Sequence, residues 1–130
     1  MITGVHPELA AALERIYAAM AAFGHPMKPT EGVRTVERQQ ALYAQGRTTP
    51  GKIVTKCDGI MKRSTHQVKA DGFGYAVDSC FVDDPRTPRD ESYDPTKPWD
   101  AFGALVEAAG LSWGGRFPGL YDQPHAELRR

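Results

Sequence analysis

Two histidines and two aspartates carry the chemistry that this chain of 130 residues offers. Between Ser64 and Asp78 the sequence reads Ser-Thr-His-Gln-Val-Lys-Ala-Asp-Gly-Phe-Gly-Tyr-Ala-Val-Asp, which sets the imidazole of His66 and the carboxylate of Asp78 on either side of a glycine-rich turn. A second imidazole, His125, arrives near the end of the chain in Asp122-Gln-Pro-His125. Neutral imidazole nitrogens and a carboxylate oxygen suit a borderline divalent ion such as zinc, and three protein ligands leave one tetrahedral position for water. An open position belongs to catalysis rather than to scaffolding. Asp122 is then a spare carboxylate three residues before the last ligand, where a general base is wanted.

The elements that must position these groups can be read from periodicity. Leu9, Leu13, Ile16, Met20 and Phe23 form one apolar stripe and predict an amphipathic helix over Pro7 to Phe23, with Gly24 as its stop. His6 reads as an exposed entry to that helix and His25 as a turn residue. Met27 to Arg34 is extended by elimination, and Thr35 caps a helix from Val36 to Gln45. Arg34 therefore sits at a strand-to-helix junction, where its fork of donors suits either a developing oxyanion or a surface ion pair. Gly46 to Arg63 is a basic loop in which Lys52 to Lys56 leaves room for a short strand. It is a solvated run or a rim for an acidic substrate.

Tyr75 to Val82 predicts a core strand with Ala76, Asp78 and Cys80 on one face, and a carboxylate there needs a metal or an arginine beside it. Asp83 to Pro98 reads as a long surface loop whose acidic residues lack the spacing of an EF-hand. Trp99 to Ala109 predicts a second amphipathic helix, Leu111 to Trp113 a short strand, and Gln123 to Leu128 a final strand. Asp122 and His125, three apart, share a pocket only if Asp122 lies in the turn before that strand.

Composition narrows the class. The length suits one domain, residues 1–130. Sixteen basic residues balance sixteen acidic ones, which gives no whole-chain case for nucleic acid or an anionic membrane. No apolar window approaches the roughly 18 residues of a membrane span, so no membrane insertion is expected. The first residues lack a basic and apolar leader, so a soluble protein made in the cytoplasm without a signal peptide is expected, as a monomer. Cys57 and Cys80 read as free thiols.

Taken in order, these stretches resemble a family. Gly4-Val-His-Pro-Glu-Leu9, Glu31-Gly-Val-Arg34-Thr with Glu37, Gln39 and Leu42, Gly46-Arg-Thr-Thr-Pro-Gly-Lys-Ile-Val-Thr55, Ser64-Thr-His66 with Gly74-Tyr-Ala-Val-Asp78, Trp113-Gly-Gly, and Asp122-Gln-Pro-His125-Ala-Glu-Leu128 are similar to the zinc-dependent peptidoglycan peptidases of the D-Ala-D-Ala metallopeptidase superfamily. Within it they look most like the L-alanyl-D-glutamate endopeptidases of phage endolysins. The resemblance implies an α+β fold, a small antiparallel sheet with helices on one side, Hedgehog/DD-peptidase-like. It implies Zn2+ on His66, Asp78 and His125, Asp122 as general base, Arg34 on the polarised carbonyl, and Gln39 and Ser64 in support or at the substrate. The expected partner is the peptidoglycan stem peptide, cut at the L-Ala/D-Glu amide. The enzyme would act on the cell wall; a phage or prophage endolysin let through the membrane by a partner holin fits the missing leader, and a bacterial enzyme fits it equally well. One stretch departs from the pattern: Gln67 to Phe73 contains an insertion, and Asp71 inside it offers a rival carboxylate. Asp78 is preferred because Gly-x-Ala-x-Asp leads to it along a strand.

Other readings stay open on the same residues. A non-haem iron oxygenase also uses two histidines and a carboxylate, though at a different spacing. A D,D-carboxypeptidase or dipeptidase, and a non-catalytic zinc-containing wall-binding module, would use the same scaffold.

Overall fold

The computed structural model describes residues 3–84, 86 and 90–129. Part of the predicted 83–98 loop, at 85 and 87–89, lies outside the described residues, as do residues 1, 2 and 130. Helix α1 runs Pro7–Ala22, and the ring of His6 caps it by accepting the Glu8 N–H at 3.2 Å. Leu9, Leu13, Ile16 and Met20 are buried as their spacing predicts. Phe23, one residue past the helix, is exposed instead.

The sheet consists of β1 (Met27–Glu31), β2 (Ala76–Phe81), β3 (Ser112–Trp113) and β4 (His125–Glu127), in the order β1-β2-β4-β3 with every pairing antiparallel. Alternation divides its residues cleanly. Val77 and Ala126 pair with each other and join the core with Phe81, Met27 and Trp113, where α1 and α3 (Trp99–Ala108) pack. Trp99, Phe102 and Val106 are the buried stripe of α3. Gly103 lies under the Trp113 indole, only 2.4 Å from where a Cβ would stand, so that helix and β3 meet at backbone distance. The opposite face of the sheet carries Asp78, His125 and Glu127, with Asp78 paired to His125 and Ala76 to Glu127.

Helix α2 (Val36–Ala44), capped by Thr35, buries only Gln39 and stands beside the site rather than in the core. No strand forms at Lys52 to Lys56. Side chains satisfy that backbone instead: Gln45 donates to the Lys52 carbonyl, Arg47 to that of Thr55 and Gln39 to that of Cys57. The last strand is also shorter than expected, because Gln123 and Pro124 belong to the turn that precedes it. In the 83–98 loop the acids cap their own backbone, Asp83 accepting from the Glu91 N–H and Asp84 from that of Arg86.

Candidate metal centre

Cross-strand pairing makes the site. Asp78 and His125 stand directly opposite on β2 and β4, and the turn after Ser64 delivers His66 beside them. Asp78 Oδ1 is 3.3 Å from His66 Nε2 and 3.4 Å from His125 Nδ1, and the three donor atoms lie within 4.8 Å of one another. No other cluster among the described residues meets that geometry. Asp71 is not part of it: its carboxylate caps its own turn, accepting from the Phe73 N–H and the Tyr75 hydroxyl.

Each imidazole has its second nitrogen committed elsewhere. His66 Nδ1 faces the Gly32 carbonyl at 2.9 Å, and a carbonyl only accepts, so Nδ1 carries the hydrogen and Nε2 keeps its lone pair. His125 Nε2 meets Glu127 Oε1 at 2.7 Å and donates to it, which leaves Nδ1 as the nitrogen that faces Asp78 and that a cation would claim in place of a proton. Three potential ligand atoms converge, and His66 Nε2 and Asp78 Oδ1 are buried without a hydrogen-bond partner among the described residues. Buried donors left unpaired cost free energy, and a divalent cation satisfies all three at once. The residues present therefore fit zinc.

Electrostatics reflects the same crowding. Burial raises the Asp78 carboxyl, but the rings of His125 and His66 outweigh it and hold the group well below the ordinary carboxylate range. Burial lowers His125, yet Asp78 and Glu127 lift it to about 9. Asp122 moves up, chiefly through desolvation and then through the charge of Asp78.

The remaining predicted residues gather around this centre. Asp122 lies in the turn before β4, as its spacing requires; its side chain is half-exposed, with Oδ2 3.9 Å from His125 Nδ1. The turn is locked by the Asp122 N–H on the Gly114 carbonyl at 2.7 Å and by the Trp113 indole on the carbonyl of Gln123 at 2.8 Å. A Cβ on Gly114 would stand 2.1 Å from the Asp122 carbonyl oxygen, which is why that position has no side chain. Arg34 is an ion-paired residue, but not a surface one. Its side chain is only 9 % exposed, with Nε on Glu31 at 2.8 Å, Nη1 on Gln39 at 2.8 Å and Nη2 3.6 Å from Asp78 Oδ2. Ser64 accepts the His66 N–H at 3.2 Å and lines the cavity, whereas Gln39 is fully buried with its amide used by Arg34, Thr55 and Cys57. Gln39 thus stands behind Arg34 and holds it. Sequence reasoning passed over Glu127, although its position two residues after His125 puts both on one face of a strand.

A cavity of about 570 Å³ opens over the cluster, bounded by Arg34, Asp78, Asp122 and His125 and also by Lys56 and Phe117, whose ring centroid is 5.2 Å from that of His125. The family model described as D-alanyl-D-alanine carboxypeptidase, of peptidase family M15, matches residues 60–128, which contain all three donors. The peptidoglycan L-alanyl-D-glutamate endopeptidase CwlK of Bacillus subtilis (strain 168) is 31% identical over 129 residues, 95% of this chain and 73% of that protein. The chain belongs to the M15 peptidase family.

Solved structures agree on the fold of this M15 peptidase. The L-Ala D-Glu endopeptidase ChiX of Serratia marcescens superposes with a TM-score of 0.58 at 23% identity, covering 97% of this chain and 81% of that one. The LdcB LD-carboxypeptidase gives a TM-score of 0.63 at 22% identity over 96% of this chain and 65% of that one. The vancomycin resistance D,D-dipeptidase VanXYg gives 0.62 at 18% identity over 95% and 50%. Membership makes the protein a metallopeptidase, and the α+β architecture with its small antiparallel sheet is the one these structures share.

Proposed function

We propose that this M15 peptidase is a peptidoglycan hydrolase that cleaves the amide between L-Ala and D-Glu of the stem peptide, with His66, Asp78 and His125 holding zinc. The observation that carries the metal assignment is the pair of buried, unpartnered donors, His66 Nε2 and Asp78 Oδ1. The substrate assignment draws on the 31% identity to an endopeptidase of that specificity.

A zinc ion held here supplies a water acidified toward a pKa of about 7 and an electrophilic pull on the substrate carbonyl. Asp122, at the cavity edge beside His125, takes the proton of the attacking water and returns it to the leaving amine. Arg34, kept in place by Glu31 and Gln39, turns its remaining N–H groups to the carbonyl oxygen as charge develops there. Ser64 supports both sides, accepting the His66 N–H and standing 3.5 Å from Arg34 Nη1.

Asp122→Ala is expected to keep zinc and to lose about 10²- to 10⁴-fold in hydrolysis of purified sacculi, whereas His125→Ala loses metal and turnover together. An Asp122→Ala enzyme working near the parental rate would remove the assigned base. Mass spectrometry of the digest should show new amino-terminal D-Glu. Release of terminal D-Ala alone would favour the second reading, a D,D-carboxypeptidase, which the family description itself names. A lytic role of the endolysin type, dependent on a holin, adds that cells expressing the protein lyse when their membrane is permeabilised and not before.

A further inference from the structure

Part of the cavity wall is built from the loop 51–63, and its charge is not used by the mechanism above. Five cations line the cavity: Arg34, Lys56, Lys62, Arg63 and Arg129. Arg34 is paired with Glu31 and Asp78, Arg129 with Glu127, and Arg63 donates to the carbonyls of Gly59 and Val68. Among the described residues, Lys56 and Lys62 have no carboxylate within ion-pair distance. The acid nearest to them in sequence, Asp58, is occupied by backbone, accepting the N–H groups of Ile60 and Lys62 at 3.0 Å each.

That occupation also makes the loop a firm mount for the two side chains. Gly59 N–H bonds the Lys62 carbonyl at 3.1 Å, Gln67 holds the Gly59 carbonyl at 3.0 Å and Gln39 holds that of Cys57 at 2.7 Å. Lys56 extends toward the opposite wall, its Nζ 3.4 Å from where a Cβ on Gly119 would stand. Leu42, Val54, Phe117 and Leu120 line the same cavity as apolar surface. A chain with aliphatic segments and an anionic group on the lysine side complements these walls.

We propose that Lys56 and Lys62 determine specificity by binding free carboxylates of the stem peptide, so that the enzyme discriminates against stem peptides whose carboxylates are amidated. The inference rests on the stem-peptide reading above. Its chemistry is direct: D-Glu joined through its side-chain carboxyl keeps its α-carboxylate one carbon from the nitrogen of the scissile amide. Conversion of that carboxylate to an amide removes the charge and preserves the shape.

The test uses the zinc-loaded full chain and two synthetic stem peptides that differ only in D-Glu against its α-amide. The free-carboxylate peptide is expected to have a KM roughly three- to tenfold lower with a similar kcat, as two solvent-accessible ion pairs allow, and the gap should shrink as salt rises. In the double variant Lys56→Met, Lys62→Met the preference should fall below about twofold, with unchanged zinc content and Tm. Calorimetric binding of the same two peptides provides a readout independent of turnover. If neither peptide nor sacculi are cut, the peptidase reading fails, while a binding preference for the carboxylate that the double variant loses would still support the lysine wall. Equal binding and equal KM for the two peptides, or a preference that survives loss of both lysines, overturns it.

Discussion

Replacing Glu127 with Gln tests whether the second sphere of the metal centre does what its geometry implies. Glu127 Oε1 lies 2.7 Å from His125 Nε2, and its other oxygen is held by Arg129 Nε at 2.9 Å. Burial raises the Glu127 carboxyl, but the hydrogen bond from His125 outweighs it and keeps the group ionised below its ordinary range. Glutamine preserves volume and can still accept from His125, but the bond is no longer charge-assisted. A hydrogen bond to a charged group contributes about 1.5–3 kcal/mol against about 0.5–1.5 for a neutral one, so the loss is about 1–2 kcal/mol. Removal of a carboxylate behind a metal-bound histidine typically weakens metal binding by about 10–100-fold, or about 1.4–2.7 kcal/mol, which agrees. Competition against a chromophoric chelator should therefore show zinc affinity lower by roughly one to two decades, with hydrolysis largely restored at saturating zinc. Arg129→Ala is the control. Its side chain is mostly exposed, and the screened pair should change affinity by less than about fivefold. A Glu127→Gln chain that binds zinc as tightly as the parent would refute the claim that this carboxylate sets the tautomer and basicity of His125.

Two further substitutions probe the scaffold. Gly114→Ala places a Cβ 2.1 Å from the Asp122 carbonyl oxygen, so the turn must retreat by about 1 Å. Overpacking of this kind costs about 1–3 kcal/mol, lowering Tm by about 3–15 °C. Displacing Asp122 by that distance should lower kcat by about 100-fold; an enzyme with parental Tm and kcat would contradict the packing. Tyr17→Phe removes the hydroxyl that meets Ser79 Oγ at 2.6 Å, and should cost about 1 kcal/mol at neutral pH. Burial pushes the Tyr17 phenol up to about 12. Because the folded value is raised, the stability of the neutral phenol is complete below pH about 10 and is lost as pH climbs toward 12. Denaturant unfolding of the Phe variant should consequently decline less steeply than the parent between these pH values.

Local pattern carries much of this protein by itself. The stripe from Leu9 to Met20, the cap at Thr35 and the alternation around Asp78 follow from side-chain chemistry acting over one or two turns, and α1, α2 and β2 formed where those rules put them. Order along the chain also named the donors that the fold brings together, because a strand and a turn can be recognised before their partners are known. Tertiary structure alone decided which atoms face one another. The register that sets Asp78 opposite His125 depends on pairing across 47 residues, the difference between positions 78 and 125, and no local rule reaches that far. Likewise the Gly32 carbonyl behind His66, the Gln39 amide behind Arg34 and the bare backbone of Gly114 under Asp122 are matters of packing between distant segments. A hydrogen bond or a close approach is specified by position within a fraction of an ångström, and only the folded core supplies that.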